Sequence, residues 1–87
     1  MNDHPSGQFY YVYIMTSETD RTRHYTGFTE NLEERLKAHN SGKVPHTAKY
    51  RPWVIECAVA FRYRKKAMDF EAYLKSHSGR AFAKKHL

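Results

Sequence analysis

The segment Phe9–Met15 constrains this chain more than any other. Every residue in it is aromatic, β-branched or methionine, the composition of a strand. Strand alternation places Phe9, Tyr11, Tyr13 and Met15 on one face and Tyr10, Val12 and Ile14 on the other. Neither face is polar, so the strand is expected to be covered on both sides. A chain of 87 residues has room for only one such core. The expected organisation is a single domain over 9–87, preceded by a polar, flexible tail over 1–8 that contains Pro5 and Gly7.

The rest of the chain supplies partners for that strand. His24–Phe28 is expected to close a hairpin with it, and Gly27 marks a bulge or a close approach by another group. Thr29 or Asn31 can cap a helix running to about Asn40, with Asn31 and Glu34 at capping-box spacing and Gly42 as the stop. Lys43–Pro52 reads as a basic loop. Trp53–Tyr63 reads as a third strand with Trp53, Ile55, Cys57, Val59 and Phe61 on one face. Helices are expected over Lys65–Ser76 and Gly79–His86. The order β-β-α-β-α-α predicts an α+β fold, a small three-stranded antiparallel sheet flanked by helices.

Charge narrows the function. Fifteen Lys and Arg against nine Asp and Glu give a net charge of +6, which attracts polyanions through the long-range field, nucleic acid above all. Lys43, His46, Lys49 and Arg51 in the loop, with Lys84 and Lys85 in the last helix, are the candidate phosphate contacts. The single cysteine, Cys57, excludes an intramolecular disulfide framework and sits in an apolar run as a small hydrophobe. No apolar stretch is long enough to span a membrane, and residues 1–8 lack the pattern of a signal peptide. The expectation is a cytoplasmic protein without membrane association.

Three features carry chemistry. Glu71 falls at the centre of the stripe Ala67, Phe70, Glu71, Leu74. A carboxylate there needs a partner: an internal salt bridge to an Arg or Lys, or a hard cation that accepts one carboxylate and keeps several waters. Arg35 and His39 lie one turn apart beside Leu32 and Leu36, either as a snorkelling Arg and a half-buried His, or as a phosphate clamp with a proton-handling partner. Tyr11, Tyr13 and Tyr25 on the hairpin read on their own as strand filler.

Taken together, these residues resemble a known set. Tyr11-Val12-Tyr13 and Tyr25-Thr26-Gly27 resemble the paired tripeptides that name the GIY-YIG nuclease superfamily. Arg35 and His39 match that family's helix motif, and Glu71 matches its single metal-binding glutamate. The resemblance covers about Phe9 to Leu87. It is to the small stand-alone branch, which is similar to the N-terminal nuclease domain found in excinuclease ABC.

The resemblance implies a GIY-YIG fold and a divalent-metal-dependent endonuclease that hydrolyses DNA, with RNA also open as substrate, in DNA repair or processing. It implies Tyr25 as general base or as the group positioning the attacking water, Tyr13 as its support, Arg35 on the scissile phosphate, His39 as proton relay, and Glu71 as ligand of one Mg²⁺ or Mn²⁺. Here the Gly and Ile of the first tripeptide are Tyr11 and Val12, and the Ile of the second is Thr26. Phe28 stands where some relatives carry a lysine, a charge that Lys43 or Lys49 could supply from the loop. An Asn found beyond the glutamate in larger relatives has no clear match. Two other readings remain: a non-catalytic nucleic-acid-binding module, and a nuclease subunit that relies on a protein partner or a second copy for targeting.

Overall fold

A computed structural model describes residues 8–87. The tail expected over 1–8 therefore lies, apart from Gln8, outside the described residues. The elements are β1 Tyr10–Ser17, β2 His24–Thr29, α1 Leu32–Asn40, α2 Pro45–Ala48, β3 Trp53–Phe61, α3 Arg64–Leu74 and α4 His77–His86. The sheet runs β2-β1-β3, antiparallel throughout, with β1 in the middle. The expected α+β class and element order hold, and the short α2 is added within the stretch that reads as a basic loop.

β1 is central because both of its faces are apolar. Tyr13 and Met15 form one buried layer with Trp53, flanked by Leu32 and Leu36 of α1 and by Tyr25, Tyr50 and Ile55. Val12 and Ile14 form the other with Ala67 and Leu74 of α3, flanked by residues such as Phe28, Phe70 and Ala83. Thus α1 and α2 cover one face of the sheet, and α3 and α4 cover the other.

β3 departs from simple alternation. Ile14 stands opposite Cys57 but Met15 stands opposite Ile55, which leaves Glu56 as an extra residue. Such a bulge reverses the facing of everything beyond it. Trp53 and Ile55 consequently pack in the Tyr13 layer, while Cys57 and Phe61 pack in the Val12 layer. The single face expected from Trp53 to Phe61 does not form. The Glu56 carboxylate accepts from the Thr16 hydroxyl at 2.5 Å and lies 3.5 Å from His24 Nε2.

Helix ends follow local chemistry. Asn31 Oδ1 accepts from the Glu34 amide at 3.1 Å, but the Asn31 amide donates to the Thr29 hydroxyl at 3.1 Å, so both candidate caps act and only half of the capping box forms. α4 begins at His77, earlier than expected, because Ser76 caps it by accepting from the Gly79 amide at 3.1 Å. A Cβ on Gly79 would lie 1.6 Å from the Tyr73 carbonyl oxygen, so glycine is what lets α4 fold back on α3. Among the described residues no helix is long and apolar enough to cross a membrane.

Asn40 ties the end of α1 to the start of β3. Its Oδ1 accepts from the Trp53 amide at 2.6 Å and its Nδ2 donates to the Trp53 carbonyl at 3.0 Å. Asn40→Ala strips both backbone groups of their partner and is expected to cost about 1–3 kcal/mol, read from urea unfolding. A loss within error of zero would mean that α1 is anchored by packing alone.

Candidate active site

Tyr13, Tyr25, Arg35 and His39 come together on the α1 side of the sheet. Tyr13 and Gly27 are direct partners across the β1–β2 ladder, and the Tyr13 ring lies over the glycine. A Cβ at Gly27 would sit 2.4 Å from the Tyr13 hydroxyl oxygen, so the glycine serves a close approach rather than a bulge. The Tyr25 ring packs edge-on against His39, with centroids 5.0 Å apart, and lies 6.3 Å from the Tyr13 ring.

A directed chain of hydrogen bonds holds Tyr13. The Thr47 hydroxyl donates to the Val44 carbonyl at 3.2 Å, and so it accepts from His39 Nδ1 at 2.8 Å. With its proton on Nδ1, His39 accepts at Nε2, and the Tyr13 hydroxyl donates to it at 3.0 Å. His39 and Tyr13 are 0% and 1% exposed. Burial, reinforced by the charges of Arg35 and His46, lowers the His39 pKa to about 4, so the ring is neutral at physiological pH.

The same burial raises the Tyr13 pKa. The guanidinium of Arg35 against its hydroxyl pulls the other way, while the charges of Tyr25 and Glu71 add to the rise. Tyr13 is therefore kept as a neutral phenol. Arg35 rests against both phenol groups, and Tyr13 above all raises its already high pKa. A groove of about 790 Å³ runs past Arg35, edged by Lys37 and Lys43 and by Glu34.

Glu71 comes from the opposite layer. It stands at the rim of the α3 stripe rather than at its centre: Ala67 and Leu74 are buried, whereas the Glu71 side chain is 22% exposed. The physical reason is a cationic partner one turn on, because Lys75 Nζ donates to Glu71 Oε2 at 3.0 Å. Even so, the carboxylate charge acts on Tyr13.

The other basic residues come from α2, the segments flanking it, and α4. Lys43 lines the groove beside Arg35. The His46 ring, on α2, lies 5.4 Å from that of Tyr25. Lys49 Nζ sits over the Tyr50 ring at 5.6 Å, and Arg51 Nε donates to the Ala48 carbonyl at 2.8 Å. Lys84 lines a cleft on the α3/α4 side, and Lys85 is exposed on α4. Sequence reasoning missed Thr47 altogether. Pro45 at the first turn of a short helix was its one signal, since proline is favoured there.

A family model described as the GIY-YIG catalytic domain matches residues 9–85, and the chain belongs to that family. It is 34% identical over 70 residues to a UPF0213 protein of Bacillus licheniformis, spanning 79% of this chain and 70% of the relative. A UPF0213 protein of Staphylococcus haemolyticus is 36% identical over 70 residues, spanning 79% of this chain and 83% of its own. The chain is also 35% identical over 74 residues to a structure-specific endonuclease subunit SLX1 homolog of Drosophila mojavensis, covering 75% of this chain but 24% of that protein. No solved structure gave a significant match.

The buried histidine makes stability depend on pH in a defined window. Its folded pKa of about 4 lies below the ordinary 6.5, so between these values the unfolded chain binds a proton that the folded chain does not. Stability is unaffected by this group above about 6.5, falls as pH drops toward about 4, and then levels off, with a slope of at most ~1.4 kcal/mol per pH unit. Urea unfolding across that window should show the slope, and His39→Gln should flatten it. An identical slope in both proteins would assign it to other groups.

Proposed function

We propose that this protein is an endonuclease that hydrolyses phosphodiester bonds in DNA with the help of one divalent cation. The observation that carries the reading is the convergence of two tyrosines on one guanidinium, Arg35, within reach of the charge of Glu71. A binding module has no need to bury one phenol in a hydrogen-bonded chain and leave a second half-buried beside the same guanidinium. This one holds Tyr13 protonated by burial and by His39, and leaves Tyr25 half-buried beside Arg35.

In this reading Tyr25 takes a proton from the attacking water, and Arg35 favours the negative charge that develops on the phenol oxygen. Arg35 also meets the scissile phosphate and stabilises the added charge of the transition state, with Lys37 and Lys43 along the groove holding the neighbouring backbone. Tyr13 keeps the position of Arg35 and Tyr25. His39 acts as a positioning residue rather than a relay, since both of its ring nitrogens are engaged and its surface is closed to solvent.

The donor set suits a hard cation. Among the described residues no group of three His, Cys, Asp or Glu could hold a metal, and the carboxylate whose charge reaches Tyr13 is Glu71. That fits Mg²⁺ or Mn²⁺, which bind through one or two carboxylates and fill their remaining positions with water and substrate phosphate. When bound, such an ion would polarise the phosphate and stabilise the leaving oxygen. The Lys75 ammonium, 3.0 Å from Glu71, must then turn aside.

Single-turnover cleavage of labelled duplex, single-stranded and branched DNA, with Mg²⁺ or EDTA, tests the reading. Tyr25→Phe should keep stability and affinity while losing about 10²-fold or more in rate. Glu71→Gln should lower divalent-metal binding and cleavage with little change in melting temperature, because the carboxylate is partly exposed. Undiminished cleavage by both variants, or no metal-dependent cleavage of any DNA, would contradict it.

A further inference from the structure

The α3/α4 side of the sheet carries a cleft of about 610 Å³ whose lining includes Tyr25 but whose interior the proposed chemistry leaves unassigned. Ile14 and Leu74, both buried, and the half-buried Thr26 and Ala83 give it an apolar lining, while Lys75, Arg80 and Lys84 stand exposed at one edge. At the other end Glu56 is already engaged by Thr16 and His24. No carboxylate side chain occurs from Ala72 to Leu87, so the side chains that line the cleft from this stretch bring positive charge only.

Position and chemistry together restrict the occupant. Lys75 both lines this cleft and pairs with Glu71 at 3.0 Å, so the cleft opens beside the proposed metal ligand. A molecule that fills it lies beside one held at Glu71. The volume lies in the range of sites for small ligands and accommodates one nucleotide. An apolar lining with cations along a single edge suits a flat base carrying phosphates on one side. A paired base cannot enter, because it would have to leave its stack first.

We propose that this cleft receives a single unpaired nucleotide of the substrate strand, adjacent to the phosphate held at Arg35 and Glu71. The base lies against Ile14, Thr26, Leu74 and Ala83, and its phosphates meet Lys75, Arg80 and Lys84. The inference rests on the nuclease reading and adds substrate class to it: DNA with an unpaired nucleotide at the cleavage point is preferred over continuous duplex.

Fluorescence anisotropy in EDTA measures binding without cleavage. Three labelled duplexes serve as probes: one fully paired, one with a single unpaired nucleotide, and one with an abasic sugar in place of that nucleotide. The unpaired base should bind roughly tenfold more tightly than the paired duplex, the scale of one base buried on a protein surface, and the abasic probe should lose that gain. Thr26→Phe, which fills the cleft, and Lys84→Ala, which removes a rim charge without touching the core, should each abolish the preference. Melting curves check that both variants fold, and Lys84→Ala carries the test should Thr26→Phe fail to.

Equal affinity for the three probes, or a preference untouched by Lys84→Ala, would overturn the proposal. Loss of cleavage with the binding preference intact would count against the nuclease reading alone. Cleavage with no preference would count against the cleft alone.

Discussion

The buried hydrogen bond from the Tyr13 hydroxyl to His39 Nε2 organises this molecule. It joins the central strand to α1 at a point from which water is excluded, where an unpaired polar group would be costly. Its direction is set from further away. The Thr47 hydroxyl, committed to the Val44 carbonyl, fixes the histidine tautomer, and Trp53 Nε1 donates to the Thr47 carbonyl at 2.8 Å. Strand, helix, short helix and third strand are thus linked through one chain of hydrogen bonds, which begins at the tyrosine whose ring lies over Gly27 in the hairpin.

From this follows a division between two chemically identical residues. Tyr13 is buried, donates its proton to a neutral imidazole, and has its pKa raised. Tyr25 lies nearer the surface among His39, His46 and Arg35. In the proposed mechanism this difference in environment, not in residue type, assigns support to Tyr13 and proton transfer to Tyr25. Membership of the GIY-YIG catalytic-domain family agrees with this arrangement.

Much of this was legible in the sequence, for identifiable reasons. β1 could be read as central because neither of its faces is polar. Tyr13, Tyr25, Arg35, His39 and Glu71 could be read because their spacing resembles a family pattern, and the structure brings the first four together. Less visible was anything that depends on a break in periodicity. The Glu56 bulge escapes an alternation rule that assumes a uniform period of two, and α2 is too short to have a period at all. Thr47, which depends on α2, was hidden with it. The Glu71–Lys75 pair was open to view as an i, i+4 spacing, but its effect of drawing the carboxylate to the rim of α3 depends on how the helix sits on the sheet.

The state of His39 tests the central claim most directly. Long-range ¹H–¹⁵N correlation of its ring in the intact protein reports which nitrogen carries the proton and at what pH the ring titrates. The hydrogen-bonded chain requires a proton on Nδ1 and none on Nε2 at neutral pH, with no second proton until the pH nears about 4. A proton on Nε2, or a titration near the ordinary 6.5, would mean that Tyr13 is not held as a donor and that the two tyrosines are not distinguished in the way described.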